Sequence, residues 1–280
     1  MNNCSNNALT LMSWNVNRGG FSSYDPNSEV PAREGNIKTV IRDAHNNRGV
    51  GAAALIDAYR WDEIYGGDAG IASHLEYRDA RFMRLNDERL NRDNGAGIGI
   101  AFASDISIEQ SRALDLETRQ GLGIILAIGA YGLQIASVYL DDLSEEVRIR
   151  QMKALVADLE PDVPTVLVGD FNMLRAELTG ASLVDRTKDF AVRSLARIIP
   201  QKELRVPVME MNKRKAVPLV ESLGFRDADC KKKRPTAPSV LPVFGVDYAF
   251  CNNSVQVRSV DIIRTKKASD HSAIVVDLKV

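Results

Sequence analysis

Residues 121–140, GLGIILAIGAYGLQIASVYL, run for 20 positions without a charge and so meet the length criterion for a membrane-spanning helix. Their internal order points elsewhere. Gly129, Ala130, Tyr131 and Gly132 form a turn-like break between IILAI and LQIASVY. Four glycines and the β-branched residues on either side suit two strands of a hairpin buried on both faces. The expectation is a protein without a membrane span.

Outward from this hairpin, short apolar runs recur at residues 9–14, 52–56, 98–103, 165–168, 246–250, 257–263 and 273–278. Each has strand length, and most end at Gly, Asp, Asn or Ser. Helical periodicity lies between them. Ile37, Val40, Ile41 and Ala44 fall at i, i+3, i+4 and i+7. A second helix starts from Ser144 as N-cap, has Glu145 and Glu146 where the helix dipole favours anions, and carries Ile149, Met152, Val156 and Leu159 before Pro161. A third covers about 185–199, with Ala191, Val192, Leu195, Ile198 and Ile199. Hairpins exclude a purely alternating βαβ chain. The fold class is α/β of the α+β kind, for which two packed mixed sheets with helices outside suffice.

A chain of 280 residues with 45% hydrophobic and 26% charged residues is neither a fibre nor a disordered tail. No repeat or flexible linker marks a boundary, so residues 1–280 read as one domain. The net charge of −1 supplies no global field toward polyanions, and any nucleic-acid contact must be local. Cys4, Cys230 and Cys251 are odd in number and lack C-x-x-C spacing, which fits a reducing compartment. The first residues have neither a basic start nor a leader-length apolar core. A cytoplasmic location is expected.

Polar residues able to hold a cation or a phosphate sit at the strand ends. Asn15 closes LTLMSWN, Asp57 closes AALID, Tyr139 and Asp141 close IASVYLD, Asp170 and Asn172 close TVLVGDFN, Asp247 lies in GVDYAF, and Asp270-His271 precede the last strand. Taken singly, each has a plain structural reading as a turn residue, a helix cap or a packed neighbour of Trp14. Strands bury their bodies and expose their ends, so the set can converge on one rim.

In this order SWNVN, LID, SVYLDDLSEEVRIRQ, VLVGDFNM, LGFRDA, RPTAPS, VDYAF and ASDHSAIVVDL resemble the endonuclease/exonuclease/phosphatase family over about residues 8–278. The resemblance implies a four-layer sandwich of two sheets flanked by helices, with a Mg²⁺ site (Mn²⁺ as the alternative) at the sheet edges. It implies Asn15 and Asp57 as metal residues and Asp270 as a further ligand or outer partner. Asp170 would activate water, and Asn172 would bond the phosphate or the nucleophile. His271 would face the phosphoryl oxygen with Asp247 behind it, and Tyr139 would donate to a non-bridging oxygen. Such a protein hydrolyses phosphodiesters, most readily as a nuclease on DNA or RNA, with no protein partner implied. The chemistry independently asks for such groups, because charge growing on phosphoryl oxygens needs a metal and donors to neutralise it.

One departure matters: the family's Gln-Glu is here Ile56-Asp57, one methylene shorter, at a site where Mg²⁺ demands near-octahedral geometry. It motivates a competing reading as a non-catalytic phosphate-ligand or nucleic-acid binding protein, beside that of a phosphatase of small phosphoesters or phospholipid head groups. His45 and His74 lack partners at ligand spacing. NGAGIG misses the dinucleotide fingerprint by one residue. Basic clusters at 213–215, at Lys231, Lys232, Lys233 and Arg234, and at 264–267 suit a solvated face. The last two precede Asp247 and Asp270, so they are also candidates for a substrate-binding rim.

Overall fold

A computed structural model describes residues 8–21, 33–84, 97–102, 106–116, 120–128, 131–173, 215–230, 234–237, 245–265 and 267–280. Among them are strands β1 (Ala8–Asn15), β2 (Ala52–Ile56), β3 (Asp79–Arg84), β4 (Gly97–Phe102), β5 (Ser107–Asp115) and β6 (Gln120–Ile128). β7 (Tyr131–Tyr139), β8 (Thr165–Asp170), β9 (Phe225–Asp227), β10 (Asp247–Asn252), β11 (Gln256–Ile263) and β12 (Ala273–Lys279) follow. The described α-helices are α1 (Glu34–Arg48), α2 (Trp61–Tyr65), α3 (Asp68–Leu75), α4 (Glu145–Ala157) and α5 (Ala216–Ser222).

The uncharged stretch is a hairpin: β6 and β7 pair antiparallel with Ile128 opposite Tyr131. The strand resumes at Tyr131, so the break is narrower than the four residues expected. No described helix is long and apolar enough to cross a membrane.

Among the described residues these strands form two six-stranded mixed sheets, ordered β11-β12-β1-β2-β4-β3 and β5-β6-β7-β8-β10-β9. Each has one parallel pair, β1/β2 and β7/β8, and both pairs are joined through a helix, α1 or α4, as parallel neighbours require. Strand alternation sorts the side chains into layers. Leu9, Leu11, Ala54, Ile135, Val166, Val168, Ala249 and Ile274 face between the sheets. Met12, Trp14, Ala53, Leu55 and Val275 point outward onto Ile37, Ile41 and Ile71 of α1 and α3. Ala136, Val138, Leu167, Tyr248 and Phe250 pack outward against Met152 and Leu155 of α4 and Val217 and Val220 of α5. The outcome is a four-layer sandwich.

In α4 the apolar stripe is not the centre of the buried face. Glu145, Arg148, Gln151, Met152 and Leu155 are buried, while Ile149, Val156 and Leu159 are partly buried. Arg148 is an internal cation on Glu145 (2.8 Å), and Glu145 also accepts the backbone N–H groups of Lys215 and Ala216 at the start of α5. The helix expected at 185–199 lies outside the described residues.

Candidate active site

Parallel strands finish at the same edge, and antiparallel neighbours begin there. Asn15 closes β1, and Asp57 follows its register neighbour Ile56 on β2. Tyr139 closes β7 opposite Asp170, the end of β8, and Asp247 opens β10 opposite the same Asp170. Asn15 Nδ2 donates to Asp170 Oδ2 (3.0 Å), which joins the ends of the two sheets.

Gly169 makes this approach feasible. Its φ is +141°, and a Cβ there would stand 2.0 Å from the carbonyl oxygen of Val138 on β7. Asp170 can thus lie against β7, fully enclosed, with Oδ1 accepting the backbone N–H of Asn172 (2.9 Å). Asn172 takes a left-handed conformation (φ 49°) and donates its amide to the carbonyl of Leu140 (3.0 Å). Burial pushes the Asp170 carboxyl up to about 7, His271 pulls it down and Asp247 pushes it up.

His271 donates from Nδ1 to Asp247, at 2.9 Å and 3.1 Å from the two carboxylate oxygens, while Nε2 lies 3.9 Å from Asp170 Oδ2. Burial alone would discharge the imidazolium. The charge and hydrogen bond of Asp247, with Asp170 and Asp270 adding to them, overcome it and raise the histidine to about 10. The loop is pinned from several sides. The His271 N–H donates to Ser269 Oγ (3.0 Å), Ser269 Oγ donates to the Asn15 carbonyl (2.7 Å), and the His271 carbonyl accepts Trp14 Nε1 (3.0 Å) and the Thr265 hydroxyl. From the sequence, Trp14 reads as packing and Ser269 only as part of a turn in Ser269-Asp270-His271.

Asp57 is buried, with φ 57°, and its Oδ2 accepts the Arg18 backbone N–H (2.9 Å). Asn15 Oδ1 accepts from Asn17 N (2.9 Å), so both expected metal residues are oriented by the turn after β1. Asp270 is exposed, with Ser269 Oγ at 3.4 Å. Among the described residues a different triplet is compact: Asp170, Asp247 and His271 each offer a ligand atom within 4.8 Å of the others. Both Asp247 oxygens lie within hydrogen-bond distance of the His271 Nδ1. The surrounding donors are carboxylate and amide oxygens, a set that fits a hard divalent cation.

Tyr139 is half-buried and packs on the layer between the sheets. Arg234 is fixed by ion pairs with Asp229 (2.9 Å) and Asp261 (3.5 Å) and by the Val260 carbonyl (2.6 Å), while Lys231, Lys232 and Lys233 lie outside the described residues. His45 bonds the Val50 carbonyl (2.8 Å), and His74 pairs with Glu34 (3.3 Å) and stacks on Tyr65. Cys230 and Cys251 are free thiols.

The sequence model of the Endonuclease/Exonuclease/phosphatase family matches residues 12–271. No curated protein matches the chain in sequence. Among solved structures, an endonuclease/exonuclease/phosphatase family protein from Bacteroides thetaiotaomicron is 12% identical with a TM-score of 0.64, covering 97% of each chain. The catalytic domain of human Nocturnin, solved with a bound sulfate anion, is 16% identical with a TM-score of 0.60, over 97% of this chain and 93% of that one. ANGEL2, a 2',3'-cyclic phosphatase in complex with adenosine-2',3'-vanadate, is 14% identical with a TM-score of 0.62, over 98% of this chain and 96% of that one. At these identities the likeness is one of fold.

Proposed function

This chain belongs to the endonuclease/exonuclease/phosphatase family, and from that premise we propose that it is a divalent-metal-dependent hydrolase of phosphodiesters, with nucleic acid as the leading substrate class. The observation that carries the reading is the partly buried His271 paired with the buried Asp247 and facing Asp170 at the strand ends. A phosphodiester carries negative charge that repels a nucleophile, so hydrolysis needs a base for water and positive charge on the phosphoryl oxygens. Asp170, with its carboxyl near neutrality, takes the proton of the attacking water. His271, held as imidazolium by Asp247, donates from Nε2 to a phosphoryl oxygen. Asn172 and Tyr139 orient the substrate from the same rim.

Asn15 and Asp57 would hold the cation, with Asp270 beside them, and bound Mg²⁺ or Mn²⁺ would add charge neutralisation at the phosphoryl group. A cyclic or linear phosphodiester also agrees with the adenosine-2',3'-vanadate complex of ANGEL2. The test is a Mg²⁺- or Mn²⁺-supplemented screen of DNA, RNA, abasic DNA, inositol phosphates, sphingomyelin and bis-p-nitrophenyl phosphate. Turnover that vanishes with EDTA is expected. Tight binding of these ligands without turnover of any would instead establish a binding module.

A further inference from the structure

The Asp247–His271 pair spans two segments distant in sequence, and both are held from below by one residue, Thr236. Thr236 is fully buried. Its hydroxyl oxygen accepts the backbone N–H groups of Val246 (3.3 Å) and Asp247 (3.4 Å), and its carbonyl accepts the backbone N–H of Ser272 (2.7 Å). One residue therefore fixes the backbone at the carboxylate and next to the imidazole. Thr236 is itself anchored. Two positions earlier, Arg234 is fixed by the buried Asp229, which accepts its backbone N–H (2.8 Å) and its guanidinium (2.9 Å). The three Thr236 bonds span 10, 11 and 36 residues, so no local spacing announces them.

We propose that Thr236 is a positioning residue that sets the alignment of Asp247 with His271. The proposal rests on the phosphoesterase reading for its kinetic consequence only. A hydroxyl oxygen that accepts from Asp247 N fixes where that residue's carboxylate stands, and a small misplacement of a catalytic pair costs turnover more than binding. Valine matches threonine in shape and lacks the acceptor. Serine keeps the acceptor and loses only a methyl group.

The experiment compares wild type, Thr236→Val, Thr236→Ser and Thr236→Ala with Thr165→Val, which removes a buried hydroxyl at the opposite end of β8. Two readouts are taken: kcat and KM on the fastest phosphodiester of the screen, and the NMR resonance of the His271 Nδ1 proton in metal-free protein. Thr236→Val is expected to lower kcat about tenfold or more with KM within about twofold, and to shift or broaden the ring-proton resonance. Thr236→Ser should restore both. Thr165→Val should change the melting temperature alone. If Thr236→Val does not fold, Thr236→Ala is read in its place. An unchanged resonance with kcat within about threefold of wild type, or equal kinetic losses in Thr165→Val, overturns the proposal. The ring-proton readout needs no turnover, so a wild type inactive on every substrate would defeat the phosphoesterase reading while leaving Thr236 testable.

Discussion

At the scale of single residues, the site is governed by how Asp247 changes the proton affinity of His271. The imidazolium holds its proton to about 10 in the folded protein against 6.5 for the free side chain. Its stabilising effect is therefore complete below pH 6.5 and is lost as pH rises through 10. Asp247→Asn removes the negative charge that opposes burial, so the histidine pKa should fall. Urea unfolding of metal-free protein at pH 6 and pH 9.5 should show a smaller loss of stability across this window in the mutant than in wild type. Equal losses would mean that Asp247 does not hold the charge.

Asp57 makes a second prediction at the same scale. The sequence resemblance sets it against the family's glutamate, and its Oδ2 accepts the Arg18 backbone N–H. Asp57→Ala should weaken Mg²⁺ affinity more than substrate affinity, whereas Asp57→Glu should keep or improve it. Calorimetry that finds the same Mg²⁺ affinity in Asp57→Ala and wild type would remove Asp57 from the cation site.

Among the elements, β8 is constrained at its end, because Gly169 sits at φ +141° against the Val138 carbonyl. Gly169→Ala should destabilise by more than the roughly 1–3 kcal/mol of the backbone conformation alone, since the added methyl also collides with β7. A melting temperature equal to wild type would contradict this packing of β7 on β8.

Which elements were legible follows from burial. Residues 9–14, 52–56, 165–168 and 273–278 read as strands because both of their faces are covered, which makes the run continuous. β3, β5 and β9 went unread; all three are sheet edges, and β3 is mostly half-buried while β9 has only three residues. The α4 periodicity marked the helix and a stripe that packs on the core, but it missed that the buried face also takes in Glu145, Arg148 and Gln151. Glu145 and Arg148 neutralise one another inside the protein, and apolar spacing cannot register a buried ion pair. The strand-end residues were legible as an ordered set. The bonds that join them, Asn15 to Asp170 and Ser269 to Asn15, depend on two sheets meeting and have no trace in local spacing.

For the whole molecule, a net charge of −1 leaves polyanion attraction to local clusters. Arg234 is committed to Asp229 and Asp261, so the lysines beside it carry the case for a phosphate-binding rim. Replacing Lys231, Lys232 and Lys233 by Ser, with Arg234 kept, should raise KM on DNA or RNA and flatten the slope of log K against log salt, because fewer counterions are released. Small phosphodiesters should be hydrolysed as before. An unchanged slope would return the cluster to an ordinary solvated surface.

The central claim is that Asp170 and His271, aligned at the joined edges of two sheets, carry out phosphoester hydrolysis. The most direct test is the turnover number of wild type, Asp170→Asn and His271→Ala with Mg²⁺ on the fastest phosphodiester of the screen, with circular dichroism as the check on folding. Each substitution should lower turnover by at least about 10²-fold with an unchanged spectrum. Turnover within about threefold of wild type in both variants would contradict the account.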